Sequence, residues 1–423
     1  MSSGFAKPTQ YSIDKMMIDD IEVQGIFYSL SIYENIYTPA IIGSITLMDT
    51  DTGGLIEKQG IEFTEDIEVE FTNSQDETIA FKGHLNGLKN EMTKDSKRMY
   101  VIEFCSTYVR TNEQTFVTKK FTNLAPEAVV SEMLEKKLQA KDSKLVGQGK
   151  PMTFVASRRK PLDVIKYVLT HAVSTGKTST QVTNKRGAQK ETSKGTTGFL
   201  CWETLRDGYK FASLQQIKDG EAGSLRSDFK KTLANQDASL ESRMKEVIAA
   251  DFTRLADNQD KMRSGAYRNV TVFMDMDTGL LKEDKYDDEE HMTEKQKKAV
   301  KKTTRFMTRL TSNERHNLEC EKAQPDTGDQ SRLFLSQNVV GQNTFDDQLG
   351  EFTLPPNFDI SSGDIFDVKI GKVKSEEDGE YDEKHSGKYI IKAVAHHMFF
   401  DGRAYTKLST IRTNTMQDDA TSQ

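Results

Sequence analysis

His396 and His397 stand side by side in "KYIIKAVAHHMFF", and imidazole is both the commonest metal ligand and the usual proton shuttle near neutral pH. The stretch reads as a β-strand, in which neighbouring side chains point to opposite faces. Tyr389, Ile391, Ala393, Ala395, His397 and Phe399 then share one face, and Ile390, Lys392, Val394, His396, Met398 and Phe400 the other. Two histidines so divided cannot chelate one ion, and the pair reads as structural. Asp401-Gly402 suits a tight turn, after which "AYTKLSTIRT" returns as the partner strand.

The remaining chemical signals are weaker. Gly176-Lys177-Thr178 ends like a phosphate-binding loop, but His171 stands where that loop needs a glycine. "DTDTG" (49–53) and "DMDTG" (275–279) space acids two apart as calcium loops do, yet both lack the third oxygen ligand, and they read as turns. The acids Glu283, Asp284, Asp287, Asp288, Glu289 and Glu290 read as a solvated face or a helix N-terminus. Lys177, Lys185, Arg186, Lys190 and Lys194 against one acid, Glu191, make the polar loop 174–197 locally basic. It reads as a mobile, soluble loop, with contact to nucleic acid or an acidic partner as the alternative. Cys105, Cys201 and Cys320 are odd in number and far apart, as reduced, buried residues are. No G-x-S-x-G, H-E-x-x-H or C-x-x-C pattern occurs. Catalytic, cofactor-binding and metal residues are therefore assigned to none. A hydrolase built on a carboxylate pair stays open, because acids are plentiful.

The elements that would position these residues are mostly strands. Over 12–106, Ile41, Ile45 and Leu47 alternate with Ser44 and Thr46, and Ile67, Val69 and Phe71 alternate with Glu68, Glu70 and Thr72. From about 108 the period becomes helical. Pro126 opens a helix carrying Val130, Met133, Leu134 and Leu138, and Pro161 opens another carrying Leu162, Ile165, Leu169 and Ala172. "GFLCWETLRDGYKFAS" predicts a hairpin turning at Asp207-Gly208. Leu240, Met244, Val247, Ile248, Phe252 and Leu255 predict helix across 225–262. "NVTVFMDMDTG" predicts strand then turn, the charged run after it becomes helical towards its end, and β patterning resumes over 304–413.

The chain has 423 residues, enough for two or three domains, but only 35 % are apolar. A mean hydropathy of −0.64 favours several small cores, or surface buried on assembly, over one large core. A net charge of −7 argues against a large basic nucleic-acid footprint. "MSSGFAKPTQ" lacks a secretory pattern and no apolar stretch is long enough to span a bilayer, so the expected location is the cytosol or a larger particle.

The two β regions share an order. "EDIEVEF", Gly83, a strand, a polar turn and a strand from Arg98 match "GDIFDVKI", Gly387, a strand, the Asp401-Gly402 turn and a strand from Arg403. Asp66-Ile67 and Asp364-Ile365 open the matching strands, as a duplication split by an insertion would. With "IYTPAIIGSITLMDTDTGGLIEKQG", "KPLDVIKYVLTHA" and "SGKYIIKAVAHHMF" in this order, the chain resembles the baseplate hub proteins of contractile-tailed bacteriophages. It is also similar to the hub part of type VI secretion spike proteins.

The resemblance implies an α+β, mainly β fold: two tube-like antiparallel β-barrels with helical and loop insertions, assembled as a homotrimer into a pseudo-sixfold ring. The expected divisions are a first barrel at 1–107, a helix and hairpin domain at 108–217, a helical and charged insertion at 218–303, a second barrel at 304–415 and a tail at 416–423. The implied role is structural and non-enzymatic, without cofactors: a hub in the virion's tail baseplate, present in the host cytoplasm during assembly. It would adapt a hexameric tail tube to a trimeric cell-puncturing spike, with DNA passing through the lumen unbound. The implied partners are further copies of itself, tube or tube-initiator proteins, the spike and other baseplate proteins, with no membrane insertion. A tail-associated cell-wall hydrolase and a hub of a non-phage contractile injection system are the alternatives.

Overall fold

The computed structural model describes residues 7–50, 54, 58–94, 97–140, 142–174, 198–231, 239–254, 258–265, 268–276, 278–287, 298, 300–311, 345, 348–372 and 381–412. The first β region comprises β1 (Tyr11–Ile18), β2 (Ile21–Glu22), β3 (Phe27–Asn35), β4 (Ile42–Thr50), β5 (Asp66–Asn73), β6 (Thr78–Lys94) and β7 (Lys97–Ser106). Its alternation is realised as read: Ile45, Leu47, Ile67, Val69 and Phe71 are buried in one core with Tyr100, Ile102 and Phe104. Each such side chain contributes roughly 1.5–3 kcal/mol by leaving water.

The middle of the chain holds α1 (Thr107–Gln114), β8 (Val117–Leu124), α2 (Pro126–Ser131), β9 (Ser143–Leu145), β10 (Met152–Arg159), α3 (Pro161–His171), β11 (Phe199–Thr204), β12 (Gly208–Ser213) and α4 (Leu214–Lys218). Proline opens α2 and α3 where its missing N–H costs nothing. Val130, Met133, Leu134 and Leu138 are buried against Val164, Ile165 and Val168 of α3, and Phe199, Cys201, Tyr209 and Phe211 of the hairpin close that core. The antiparallel pair β8–β10 alternates only over Met152, Phe154 and Ala156, and the helical reading from 108 passes over it.

Then follow β13 (Leu225–Lys231), α5 (Leu240–Met244), β14 (Ala249–Arg254), α6 (Asn258–Ser264), β15 (Arg268–Asp275), β16 (Leu281–Asp287), β17 (Arg305–Thr311), β18 (Gln348–Leu354), β19 (Ile365–Ile370), β20 (Gly387–Phe399) and β21 (Ala404–Arg412). The continuous helix expected across 225–262 is not formed. Among the described residues of this stretch only Leu240–Met244 and Asn258–Ser264 are helical, because Phe252 packs against the rings of Phe352 and Tyr389 from a strand that pairs with β18. The charged run begins as β16, and most of its end, where helix is expected, lies outside the described residues. β17 does not join the closing β region either, but runs parallel to β15 in a separate three-stranded sheet. The polar loop, apart from Ser174, and the tail 416–423 also lie outside the described residues, as does Cys320. Among the described residues no helix is long and apolar enough to cross a membrane.

The two β regions are joined in one 13-stranded sheet, with no closed barrel among the described strands. Within it two six-strand units repeat one spatial order. The first reads β1-β5-β6-β7-β4-β3 and the second β13-β19-β20-β21-β18-β14, so each chain position keeps its place. The units differ at one joint: β1 is antiparallel to β5, whereas β13 is parallel to β19. The ladder's free ends fold back at isolated bridges, Gln10 to Arg403 and Lys230 to Glu246.

Strand pairing also corrects the repeat, by one residue at Asp66 and by two at Gly83, which matches Tyr389 rather than Gly387. Asp66 pairs with His84 and Ile365 with Ile390, and both units carry a bulge two residues later, at Asn86 and Lys392. Ile67, Val69 and Phe71 therefore match Phe366, Val368 and Ile370, all buried. Gly43 and Gly350 also fall in equivalent positions, where a Cβ would come 2.2 Å from the Phe104 ring and 2.9 Å from Thr410 Oγ1.

Candidate functional site

The bulge at Lys392 alters the face assignment made for the histidine strand. Tyr389 and Ile391 sit in the same core as Val394, because the extra residue reverses the alternation between them. Beyond the bulge the alternation holds, and the two histidines have separate surroundings. His396 is buried, its Nδ1 3.1 Å from Thr406 Oγ1 and its ring edge-on to Phe358. Burial pushes its pKa down to about 3, with His397 adding to the effect. His397 lies on the opposite face, its Nδ1 2.8 Å from Ser31 Oγ and its ring edge-on to Tyr33. In "DMDTG", Thr278 Oγ1 donates to Asp275 Oδ2 (2.7 Å) and Gly279 N donates to Asp275 O (2.8 Å), which accounts for that motif as a turn. Cys105 and Cys201 are buried free thiols, and burial pushes Cys201 up to about 12.

The densest polar chemistry lies elsewhere, where the β11–β12 hairpin meets both units. Glu34 occupies the apolar phase of β3, behind Leu30 and Ile32. Its carboxylate accepts from Leu205 N at the hairpin turn (2.7 Å) and from Ser362 N ahead of β19 (2.9 Å). Glu203, on β11, reaches the opposite way: it accepts from Ile41 N (3.1 Å) and from Ser106 Oγ at the end of β7 (2.5 Å). Burial pushes both carboxyls up to about 7 against these donors, and the charge of Glu34 raises Glu203 further. Each acid is tied to backbone outside its own strand, Glu34 to the hairpin turn and the segment ahead of β19, Glu203 to the residue ahead of β4. At 1 % and 8 % exposure, neither is placed to attack a polymeric substrate.

Beside them Lys210, also buried, has its ammonium 2.9 Å from Asp207 and 3.9 Å from Asp364. Asp364 is wholly buried and accepts from Ser224 N (2.9 Å), Ser361 N (3.2 Å) and Arg226 Nε (2.9 Å). Arg206 bonds Asp207, Asp359 and Asp364, and Arg226 also pairs with Asp359. The hydrogen bond from Arg206 holds Asp207 below the usual carboxylate range, while burial raises Asp364. These arginines line an open cleft of about 890 Å³, but their charge is already matched by the aspartates. Trp202 completes the joint. Its Nε1 donates to Ser362 O (3.1 Å), and a Cβ on Gly363 (φ +87°) would stand 2.6 Å from its ring.

The sequence reading missed this network. Its signal was nevertheless present: Glu34 interrupts an apolar phase, and Lys210 stands between Tyr209 and Phe211. The network's chemistry is that of a brace, since buried charges paired with one another cost much to desolvate and add little net stability.

A second surface is the sheet face turned away from the cores. Ser29, Ser31, Ser44, Thr46, Ala393, Ala395 and Ser409 lie half-buried there, in register across β4, β3, β20 and β21. A groove of about 600 Å³ on this face is lined in part by Tyr33, Ile42, His397 and Lys407.

No family model and no curated protein matches this chain. Solved structures do. The tail protein from Neisseria meningitidis superposes with a TM-score of 0.54 at 9 % identity, over 97 % of this chain and 99 % of that one. The 43 kDa tail protein of prophage MuSo2 from Shewanella oneidensis gives 0.53 at 10 % identity, over 96 % and 99 %. A type VI secretion component from E. coli gives 0.45 at 9 % identity, over 96 % of this chain and 77 % of that one. The chain therefore shares the fold of the two tail proteins along nearly its whole length.

Proposed function

We propose that this chain is a structural baseplate hub of a contractile tail, adapting a hexameric tube to a trimeric spike. The observation that carries the reading is the repeated strand order β1-β5-β6-β7-β4-β3 and β13-β19-β20-β21-β18-β14. Two like units per chain give a trimer six like surfaces, which is what a sixfold tube requires. Each unit would act as one tube-like wall; the bridge from Lys230 to Glu246 is where the second comes nearest to closing on itself, whereas Gln10 bridges from the first unit to Arg403 of the second. The shared fold with tail proteins supports the same role.

In this reading the face of Ser29, Ser31, Ser44, Ala393, Ala395 and Ser409 lines the lumen. Small uncharged side chains at these positions offer no phosphate contacts, although Lys407, exposed on the same face, would supply one. The middle domain and the β11–β12 hairpin are held to both units by Glu34, Glu203 and Asp364. The test is the mass of the full chain by light scattering, combined with electron microscopy of the particle. A threefold mass and a ring with six similar lobes are expected; a monomer, or an even-numbered closed assembly, would overturn the hub reading.

A further inference from the structure

Charge is unevenly placed along the chain. Residues 115–173 hold eleven lysines and arginines against five acids, a net +6 in a chain of −7, which leaves −13 to the remainder. Five of the eleven, Lys119, Lys120, Arg158, Arg159 and Lys160, lie on or just beyond β8 and β10. Among the described residues these two strands pair only with each other.

Their small sheet has two unlike faces. Val117, Phe121, Met152, Phe154 and Ala156 are buried in the middle core, with the Phe121 and Phe154 rings stacked at 4.8 Å. Strand geometry turns the residues between them outwards, so that Phe116, Thr118, Lys120, Val155 and Ser157 form the other face. Phe116 and Val155 are each 62 % exposed there. Lys120 stands directly opposite Val155, and Phe116 lies four residues from Lys120, roughly 13 Å along the strand.

The cations around this face fall into two groups. Lys119 and Lys160 are paired, with Glu132 and Glu113. Lys120 and Arg158 have no ion pair among the described residues. Arg158 is also held in left-handed backbone (φ +48°), which a side chain with a Cβ disfavours. It sits in the bulge between Ala156 and Arg159, a device that re-aims a side chain. Its N donates to Thr118 Oγ1 (3.3 Å), which fixes the bulge to the outward row.

We propose that the outward face of β8 and β10 docks an extended acidic segment of a different protein. One apolar side chain of the segment seats on Phe116 and another on Val155; in an extended chain these are positions i and i+4, which share a side. An acid at i+2 meets Arg158, and an acid beyond the Val155 end meets Lys120. Complementary charge selects the sign of the partner, and the two apolar anchors set its register. Nucleic acid and anionic membrane share the sign but not two apolar anchors at this spacing. The proposal does not depend on the ring reading.

The probe is a labelled peptide, Glu-Ser-Val-Ser-Glu-Ser-Val-Ser-Glu, which places two valines at i and i+4 with glutamates between and beside them. Fluorescence anisotropy with the full chain should give saturable binding, with a Kd below about 1 mM at low salt that weakens as salt rises. Lys120→Gln with Arg158→Gln, and separately Phe116→Ser with Val155→Ser, should each weaken binding about fivefold or more. Lys136→Gln with Lys166→Gln removes the same charge from exposed helical positions nearby and should change it less than about twofold. Circular dichroism checks the fold; if a double variant unfolds, Arg158→Gln and Val155→Ser alone carry the same comparison. No binding, an equal loss in the Lys136/Lys166 variant, or equal binding of peptides with lysine for glutamate or serine for valine would each overturn the proposal. So would tighter binding, through Lys120 and Arg158, of a single-stranded oligonucleotide or of phosphatidylcholine vesicles containing phosphatidylglycerol.

Discussion

Glu34 and Glu203 are held reciprocally: Glu34 of β3 accepts from Leu205 N on the hairpin, and Glu203 of the hairpin accepts from Ile41 N beside β4. Burial raises both carboxyls to about 7. In the unfolded chain each ionises near pH 4.5, so between that pH and 7 the folded state binds more protons and stability falls as pH rises. The stabilising contribution is complete below about 4.5 and is lost through about 7. Urea midpoints should therefore drop between pH 5.5 and 8, on the order of 1–3 kcal/mol for each acid. The Glu34→Gln/Glu203→Gln variant should flatten that slope. An equal slope in wild type and variant would remove these acids as its cause.

Gly363 has a left-handed backbone and no room for a Cβ beside the Trp202 ring. Gly363→Ala is expected to cost about 2–4 kcal/mol through backbone strain and overpacking together. Trp202→Phe keeps one aromatic ring but loses the pyrrole half of the indole and with it the bond to Ser362 O, and should cost about 1 kcal/mol from that bond in addition to the cavity left behind. Urea unfolding followed by circular dichroism compares the two. A Gly363→Ala chain as stable as wild type would contradict the packing described at this joint.

Local patterns carried much of the fold because they are local physics. Alternation in "DIEVEF" and the proline-led stripes at Pro126 and Pro161 depend only on which face meets the core. Helical spacing over 225–262 misled because Phe252 takes its partners, Phe352 and Tyr389, from a hundred residues away or more. The error in the repeat has a similar origin: a bulge is invisible until two strands are paired. A better anchor was on the page, since "IGSITL" at 42–47 parallels "LGEFTL" at 349–354. Of the junction, the acid in the apolar phase of β3 and the lysine between Tyr209 and Phe211 were legible; the donors to Glu34 are set by two distant segments, at Leu205 and Ser362.

His396 should remain neutral across the physiological range. Its folded pKa of about 3 lies below the ordinary 6.5, so the unfolded state binds the extra proton between those values. Stability from this residue is present above about 6.5 and is lost as pH falls towards 3, the reverse of the two glutamates. Histidine ring proton shifts recorded between pH 5 and 8, with His396→Asn to assign the signal, should show no titration for it. A midpoint near 6.5 would mean that the ring is open to water.

Incubation with peptidoglycan should release no fragments. The buried acids Glu34 and Glu203 are committed to backbone donors, while hydrolysis by a carboxylate pair needs both groups on an open sugar-binding cleft. Turnover that survives in the Glu34→Gln/Glu203→Gln variant would place catalysis elsewhere in the chain. Turnover abolished by that variant would make the brace a catalytic pair.

Affinity for duplex DNA should be weak, with a Kd above about 10⁻⁴ M at physiological salt, the feeble end of non-specific binding. Every phosphate contact by a lysine or arginine adds affinity and a steeper salt dependence, and a conduit benefits from neither. The net charge of −7 acts in this direction, as do the serines and alanines of the outward sheet face. Replacing small residues on that face by cations, as Ser31→Lys with Ala395→Lys, should strengthen binding and steepen its salt dependence if the face lines the lumen. Fluorescence anisotropy of a labelled duplex across 50–300 mM salt measures both quantities. Tight binding by the wild-type chain, or no response to the two lysines, would count against DNA sliding along this surface.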